Sequence, residues 1–399
     1  MIRRSLLPAL LAALAASSLF VSAEPQQATA VYFPPAGEWQ ARPATTLGFG
    51  QAELDAVIAY AIENQNQNTR DLAEDIPRTF RREAPYNALI GPTQERAEAN
   101  GVIIRNGFVA AAWGDTDRAD MTFSVTKSFL STTVGVAVDR GLIESVHDRV
   151  ATYMPDDIDL FASEHNATIT WDHLLRQTSD WSGTLWGKPD WADRPVGETE
   201  DEWRNREMHE PGTFYKYNDT RVNVLALAAL HVFGEPLPDV LRTAIMDPIG
   251  ASDTWHWEGY ESSWVQIGGR KMQSVTGGGH WGGGMFISAW DMARFGYLFL
   301  RDGAWDGRQL ISRRWMDLAR TPGRANPSYG YMNWFLNVPT QGGRGGMRQM
   351  YAAAPASAVA FRGNGENIIY IDWEHDLVAV LRWQSRSAAV IERLIASLD

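Results

Sequence analysis

Residues 121–129 read MTFSVTKSF, so that a serine at position 124 is followed three residues later by a lysine at position 127. Residues three apart on a helix lie on one face, about 5–6 Å apart at Cβ. The next dozen residues are almost all apolar or small, and Gly141 is a typical helix stop. The pattern predicts a helix that begins near Thr122 and points the Ser124 hydroxyl and the Lys127 ammonium into one small volume.

A serine and a lysine placed in this way can form a nucleophile that needs no histidine. The first turn of a helix favours developing negative charge, because its backbone N–H groups are unpaired. A lysine in apolar company can act as the base for the hydroxyl. Ser-x-x-Lys alone is a weak signal, since a helix serine near a lysine that extends its ammonium toward water gives the same pattern.

The composition is that of an ordinary globular protein with an acidic surface. The 399 residues are 45% hydrophobic and 21% charged, and they are numerous enough for a sizeable core. The net charge of −12 argues against nucleic acid or an anionic membrane surface as a partner. Without cysteine there is neither a disulfide framework nor a site for lipid attachment. We therefore expect a small-molecule partner.

The N-terminal residues have the three parts of a secretory signal peptide. Two early arginines precede an Ala- and Leu-rich run from Leu6 to Phe20, and residues 21–23 fit a small-x-small cleavage site. This run is short for a membrane span, and no other stretch reaches 18 uninterrupted apolar residues. We expect removal of residues 1–23 and export of the mature protein to the periplasm or beyond, with no membrane span.

Hydrophobic periodicity predicts a sheet assembled from both ends of the chain. An Asn-Gly turn joins two apolar runs between residues 99 and 113, which is a strong hairpin signal. Helical spacing covers residues 51–64, 222–233, 237–246, 289–300 and 388–398, and Thr170 is a predicted helix cap. Strands are predicted at residues 356–361, 367–372 and 377–383.

These elements predict an α+β fold, an α/β sandwich in which an antiparallel sheet is flanked by helices. Residues 24–50 are expected to form an extended leader. Residues 51–141 and 266–399 are expected to form the sheet domain that carries the serine. Residues 142–265 are expected to be an inserted, mostly helical lobe.

Four segments resemble one known superfamily, namely residues 123–128, 141–155, 169–179 and 211–220. They are similar to the serine β-lactamase and penicillin-binding-protein superfamily. The resemblance is to its class C-like branch, which includes family VIII carboxylesterases and 6-aminohexanoate-oligomer hydrolases. It runs from about residue 45 to residue 395. It implies a β-lactamase/transpeptidase-like fold and acyl transfer through a serine.

The resemblance also implies roles for individual residues. Ser124 corresponds to the nucleophile and Lys127 to its base, and alignment on residues 211–212 places the catalytic tyrosine at Tyr217. Asp219 stands where the superfamily usually has asparagine, and it is expected either to pair with Lys127 or to be structural. The implied chemistry is formation and hydrolysis of an acyl-enzyme, in which Tyr217 hands a proton to the leaving group.

The superfamily's third motif, a Lys-Thr-Gly-like triplet on a strand, is altered in this chain. Residues 360–367 resemble the glycine-rich version of esterases and amide-oligomer hydrolases, which lacks the lysine. The N–H groups of Ser124 and of the strand near Gly363 are the expected oxyanion donors. Arg362 supplies a replacement charge if the strand register turns it toward the site. The missing lysine favours carboxylic esters or amides over β-lactams as substrates.

The tryptophans and histidines suggest further site residues. The loop over residues 180–198 carries several of the seventeen tryptophans, which cannot all be buried, so Trp181 and Trp186 are predicted to form an apolar wall of the site. His280 lies between two glycine triplets and is predicted either to cap backbone or to contact substrate. The eight histidines show no His-Glu-x-x-His pattern and cysteine is absent, so neither a metal nor another cofactor is expected.

Alternatives to an esterase or amidase stay open at this point. A D,D-peptidase or a β-lactamase would use the same site on a different substrate. A non-catalytic cell-wall binding protein, which would hold sugars with its tryptophans, belongs to a different class. The chain has no Gly-x-Ser-x-Gly, so an α/β-hydrolase nucleophile elbow is not supported. Labelling of Ser124 by a covalent serine probe would distinguish an enzyme from a binding protein.

Overall fold

The computed structural model describes residues 31–341 and 347–398. From Tyr32 onward the described residues belong to one compact unit. The helices are α1 (Gln51–Glu63), α2 (Leu72–Thr79), α3 (Thr126–Asp139), α4 (Trp171–Leu175), α5 (Glu200–Arg204), α6 (Asp219–Phe233), α7 (Leu237–Leu241), α8 (Ala289–Leu300), α9 (Arg313–Ala319) and α10 (Ser387–Ala396).

The strands are β1 (Asn100–Arg105), β2 (Phe108–Trp113), β3 (Asp120–Met121), β4 (Thr184–Leu185), β5 (Lys188–Pro189), β6 (His256–Ile267), β7 (Arg270–Val275), β8 (Gly284–Ile287), β9 (Ala304–Trp305), β10 (Arg308–Gln309), β11 (Trp334–Phe335), β12 (Thr340–Gln341), β13 (Met347–Arg348), β14 (Val359–Gly363), β15 (Asn367–Asp372) and β16 (Leu377–Arg382). A six-stranded antiparallel sheet has the order β11-β14-β15-β16-β1-β2, and a four-stranded sheet has the order β3-β8-β6-β7. The predicted antiparallel sheet built from both ends of the chain is therefore confirmed.

The central strands of the large sheet are apolar on both faces. In β1, Val102 and Ile104 belong to the main core, whereas Ile103 between them belongs to a second core on the opposite face. Val102 pairs with Val380 of β16, which continues the same alternation. Helices α1 and α10 cover the second face, and α8, with α3 and α6 behind it, covers the first. This sandwich holds β14 beside the N-terminal end of α3.

Most of the predicted elements are present. The hairpin turn falls on Asn106 and Gly107, which both have positive φ (53° and 84°), as a two-residue type I′ turn requires. Thr170 caps α4 by accepting a hydrogen bond from the His173 N–H. Helix α8 covers the predicted residues, and the three late strands and the closing helix lie within a few residues of their predicted positions.

The predicted domain organisation stays a prediction. The signal peptide over residues 1–23 lies outside the described residues, as does the first part of the leader. Among the described helices, none alone is long and apolar enough to cross a membrane, although the bent pair Asp219–Phe233 and Leu237–Met246, with 75° between its members, passes the same test of length and composition.

Candidate active site

Ser124 lies in a single turn of 3-10 helix, Phe123–Val125, that leads into α3. The predicted helix start near Thr122 was therefore early, since the α-helix begins at Thr126. Phe123 has a left-handed backbone (φ 49°), which an α-helix excludes. Such a conformation costs a bulky residue about 1–3 kcal/mol and is frequent at active sites. The strained turn presents Ser124 at the mouth of a cavity.

Lys127 reaches Ser124 as the spacing predicts. Its Nζ lies 2.8 Å from Ser124 Oγ, and its side chain is 1% exposed. The same Nζ lies 2.6 Å from Asp219 Oδ1, so Asp219 pairs with the lysine and is not merely structural. A Cβ on Gly278 would overlap both partners, which explains why glycine occupies this position.

Asp219 is the first residue of α6, and Asn218 caps this helix. Its second carboxylate oxygen accepts a hydrogen bond of 2.8 Å from Arg194. Burial alone would favour the neutral acid, yet Lys127 and Arg194 hold the pKa of the Asp219 carboxyl well below its usual range. Asp219 is therefore a carboxylate that joins two cations behind the serine.

His280 connects this group to Glu83. Its Nε2 lies 2.6 Å from Glu83 Oε2, and its Nδ1 lies 3.2 Å from Arg194 Nη2. A guanidinium only donates, so Nδ1 accepts and Nε2 carries the proton that His280 donates to Glu83. Burial first, and then Arg194, lower the pKa of His280. His280 is thus a buried neutral histidine that bonds to side chains rather than to backbone.

Glu83, Asp193 and His280 are also close enough together to hold a metal ion. Their ligand atoms all lie within 4.8 Å of one another, and all three residues are buried. However, Arg194 donates hydrogen bonds to both Asp193 and His280, and the Nε2–H group of His280 donates one to Glu83. Burial raises the pKa of the Asp193 carboxyl, whereas Arg194 opposes that shift. The atoms that could bind a metal ion are therefore already engaged in ion pairs and hydrogen bonds around Arg194.

Tyr217 approaches Lys127 with its ring rather than with its hydroxyl. Lys127 Nζ lies 4.8 Å from the ring centroid, and the Arg194 guanidinium lies 4.9 Å from the same centroid. Among the described residues no hydrogen bond joins the Tyr217 hydroxyl to Ser124 or Lys127. Tyr217 nevertheless lines the same cavity as Ser124.

The cavity in front of Ser124 is small, with a volume of about 210 Å³. The residues that line it are Phe80, Phe123, Ser124, Arg194, Tyr217, Gly278, His280, Trp334, Arg362, Gly363 and Asn364. The strand motif at the end of β14 is therefore placed beside the serine. A Cβ on Gly363 would overlap Thr122 O and lie 3.1 Å from Ser124 N. Only glycine permits this approach of β14 to the turn.

Arg362 lines the cavity, but its guanidinium also turns toward neighbouring side chains. Its Nη1 lies 2.6 Å from Met350 Sδ, and its Cζ lies 5.6 Å from the Tyr351 ring centroid. Its Nε is buried and has no hydrogen-bond partner among the described residues. A cation is therefore near the serine on the strand that lacks the lysine.

The structure does not bring the two predicted wall tryptophans to this cavity. Trp181 is buried in the main core, and its indole donates a 2.7 Å hydrogen bond to Leu160 O. Trp186 packs half-buried against the same core. The aromatic surface comes instead from Trp334 and Tyr217, whose rings stack at 5.8 Å, and from Phe80.

Sequence reasoning missed several residues of this site. Arg194 lies in the loop that was examined only for tryptophan, and its positive φ (49°) is not visible in the sequence. Glu83 follows an arginine-rich segment whose arginines are exposed, whereas Glu83 itself is 3% exposed. Its burial was detectable only through the contact with His280, almost two hundred residues away in the chain.

Comparison with known proteins agrees with this geometry. The model of the Beta-lactamase family matches residues 93–395. We found no significant sequence match among curated proteins.

Three solved structures share the fold at low sequence identity. A protein assigned as a β-lactamase from Bacteroides dorei has a TM-score of 0.56 and 14% identity over 87% of this chain and 99% of its own. A protein assigned as a 6-aminohexanoate-dimer hydrolase from Bacillus anthracis has a TM-score of 0.56 and 15% identity over 92% of this chain and 88% of its own. A penicillin-binding protein homologue from Caulobacter crescentus has a TM-score of 0.54 and 17% identity over 82% of this chain and 97% of its own. The chain belongs to the β-lactamase family and is a serine-type hydrolase with the β-lactamase/transpeptidase-like fold.

Proposed function

We propose that the protein is an exported hydrolase that cleaves small carboxylic esters or amides through an acyl-enzyme on Ser124. The observation that carries this proposal is the line of contacts from Ser124 Oγ through Lys127 Nζ to Asp219, at 2.8 and 2.6 Å, at the edge of a cavity. A hydroxyl in hydrogen-bond contact with a buried base is the arrangement that nucleophilic catalysis requires.

In the proposed acylation step, Ser124 Oγ attacks the carbonyl carbon of the substrate. Lys127, in its neutral form, takes the hydroxyl proton, and the Asp219 carboxylate stabilises the ammonium that forms. The N–H groups of Ser124 and Gly363 receive the developing oxyanion, since Gly363 has no side chain to separate them. Tyr217 hands its phenolic proton to the leaving group. Water then hydrolyses the ester formed on Ser124: its hydroxyl group joins the acyl carbon, its other proton returns to the Tyr217 oxygen, and Lys127 returns the first proton to Ser124.

The size and lining of the cavity support small substrates. Drug-sized ligands usually occupy pockets of about 300–1,000 Å³, whereas this cavity measures about 210 Å³. Trp334 and Phe80 offer apolar surface to a short acyl group. Each Å² of apolar surface that the substrate buries contributes about 25 cal/mol.

A second candidate is hydrolysis of β-lactams or D,D-peptides, whose scissile bond lies near a carboxylate. Arg362 at the cavity favours it, because a charge-assisted hydrogen bond to that carboxylate contributes about 1.5–3 kcal/mol. The test is to compare kcat/KM for a butyrate ester, a linear amide, a D-Ala-D-Ala peptide and a chromogenic cephalosporin, with and without Arg362→Ala. We expect the ester or amide to be preferred. A cephalosporin preference that Arg362→Ala removes would establish the second candidate instead.

The nucleophile is tested by Ser124→Ala. We expect hydrolysis of the butyrate ester to fall by several orders of magnitude, while thermal unfolding is unchanged. A fluorophosphonate probe should label the wild-type protein on Ser124 and leave the variant unlabelled. Retention of more than about a tenth of kcat would contradict the assignment, because removal of a true nucleophile costs far more.

A further inference from the structure

A second cavity is lined by Lys216, the residue that precedes Tyr217. This cavity measures about 490 Å³, and Lys216, His209 and Phe214 are among the residues that line it; we call it the Lys216 cavity. Lys216 is 8% exposed. Its Nζ is buried and has no hydrogen-bond partner among the described residues. An ammonium in this situation is costly unless an anion or another acceptor meets it.

The neighbouring donors are also incompletely used. His209 Nδ1 and Arg221 Nη1 are buried atoms without a partner in the described part of the chain. Arg221 is one of the groups that act electrostatically on Lys216. Burial first, and then Arg221, lower the pKa of Lys216 to about 8. His209 Nδ1 lies 3.6 Å from Asp180 Oδ2, so of these atoms Lys216 Nζ is the one that lines the cavity with no acid of the described residues paired to it, and an acceptor in the cavity would satisfy it.

Among the described buried groups around Lys216, one positive charge is left uncompensated. Arg206 and Arg221 share the carboxylates of Asp180 and Asp190, which are fully buried. Asp193, the other buried acid that acts on Lys216, is paired with Arg194. Lys216 is therefore the third cation beside two carboxylates. A single negative charge would balance the group.

The rim of the cavity limits what that anion can be. Phe214 and Val196 are exposed apolar side chains at the rim, with 38% and 61% exposure. Asp201, Glu202 and Glu207, which also line the cavity, are exposed acids that would repel a multiply charged ligand more strongly than a monoanion. A monoanion with an apolar group fits this combination better than a phosphate does.

We propose that the Lys216 cavity binds a small monocarboxylate, with its carboxylate on Lys216 Nζ and its apolar group against Phe214. This site is separate from the Ser124 cavity and does not depend on the proposed hydrolysis. Its occupancy is expected to affect the neighbouring Tyr217, because the backbone N–H of Lys216 and that of Asn218 both bond to Gln177.

The experiment is a titration of the full-length mature protein with butanoate, followed by thermal unfolding and calorimetry. The variants are Lys216→Met, the exposed-lysine control Lys271→Met, and Arg362→Ala to remove binding in the Ser124 cavity. We expect butanoate to raise the Tm of the wild type and of both controls. Lys216→Met should have a higher Tm without ligand, because a buried unpaired charge is gone, and should bind butanoate at least about tenfold more weakly.

Chemical labelling of the wild type provides a readout that does not require the variant to fold. The chain has four lysines, at positions 127, 188, 216 and 271, so the acetylation of each can be followed by mass spectrometry. Butanoate should protect Lys216 and leave Lys271 unchanged. Undiminished butanoate binding by Lys216→Met, no protection of Lys216, or tighter binding of inorganic phosphate than of butanoate would each overturn the proposal.

Discussion

Asp219 contacts Lys127 and Arg194 with its two carboxylate oxygens, and this arrangement governs the charge of the site. An asparagine at this position would give Lys127 a neutral partner. With aspartate, the lysine has a counter-ion at 2.6 Å that stabilises its ammonium form. The same carboxylate also fixes Arg194 under the Tyr217 ring. In the proposed mechanism one side chain therefore combines a catalytic and a structural task.

We predict that Asp219→Asn lowers kcat for ester hydrolysis by about 100-fold or more, the scale on which proton-transfer groups act. It should also lower the free energy of unfolding by about 3–5 kcal/mol, because two buried cations lose their counter-ion. Urea denaturation and steady-state kinetics measure both effects. Asp302→Asn, which breaks a surface pair with Arg320, is the control and should cost at most about 1 kcal/mol. Unchanged kcat in Asp219→Asn would exclude a contribution of the Asp219 charge to catalysis.

For Tyr217→Phe we predict a loss of hydrolytic activity whose size depends on the leaving group of the substrate. An amine must be protonated to leave, whereas p-nitrophenolate leaves without a proton. If the hydroxyl serves as the acid, amide hydrolysis should fall by about 100-fold or more, and p-nitrophenyl butyrate hydrolysis by less than about tenfold. Equal losses on both substrates would show that Tyr217 acts only through its ring, which already contacts Lys127.

At the scale of secondary-structure elements, the site depends on how closely β14 approaches the turn Phe123–Val125. The closest approach is at Gly363, where a side chain would overlap Thr122 O. The turn contains the proposed nucleophile, and the strand end contains the proposed second oxyanion donor. A shift between these elements would therefore separate the two N–H groups without removing either.

We predict that Gly363→Ala lowers kcat by about 100- to 1,000-fold, the cost of losing one oxyanion donor. The stability loss should be about 1–3 kcal/mol, as for overpacking in other cores. Gly187→Ala is a matched control: its added Cβ meets nothing within 4 Å, but its φ of 75° makes alanine cost about 1–2 kcal/mol. If both variants lose similar stability but only Gly363→Ala loses kcat, the loss of kcat is due to the oxyanion site and not to impaired folding.

The elements were the most predictable part of the fold. Helix α8 and the hairpin β1–β2 follow from periodicity and from Asn-Gly, which are local properties of the sequence. The turn before α3 was not predictable, because the positive φ of Phe123 occurs together with packing of its ring against Trp383, far away in the chain. For the same reason Ser124, Lys127 and Gly363 could be placed in the site from motifs, whereas Arg194, Glu83 and Trp334 could not.

At the scale of the whole molecule, histidines that are buried or half-buried link stability to pH. Burial lowers the pKa of His173, His231 and His280, so the folded protein favours their neutral forms. The unfolded chain takes up these protons first, near pH 6.5. The stabilisation is therefore complete above about pH 6.5 and is lost as pH falls toward the lower pKa values of the folded state.

We predict that the free energy of unfolding changes little from pH 8 to 7 and decreases from pH 6.5 to 5. The slope is at most about 1.4 kcal/mol per pH unit for each histidine. His280→Gln should reduce this slope, and His256→Gln, at an exposed histidine, should leave it unchanged. Urea denaturation at each pH supplies the values. If His280→Gln leaves the slope unchanged, the pKa of His280 does not differ between the folded and unfolded states, which would contradict the prediction.

The pairing of β1 with β16 has a consequence for the order of events during synthesis. A ribosome makes Ser124 and β1 well before Gly363 and β16. Until β16 has emerged, the large sheet is open beside β1 and β14 is not held against the turn of Ser124. On the proposed mechanism, a nascent chain at this stage carries a serine without its second oxyanion donor, and we expect reactivity only after the sheet has closed.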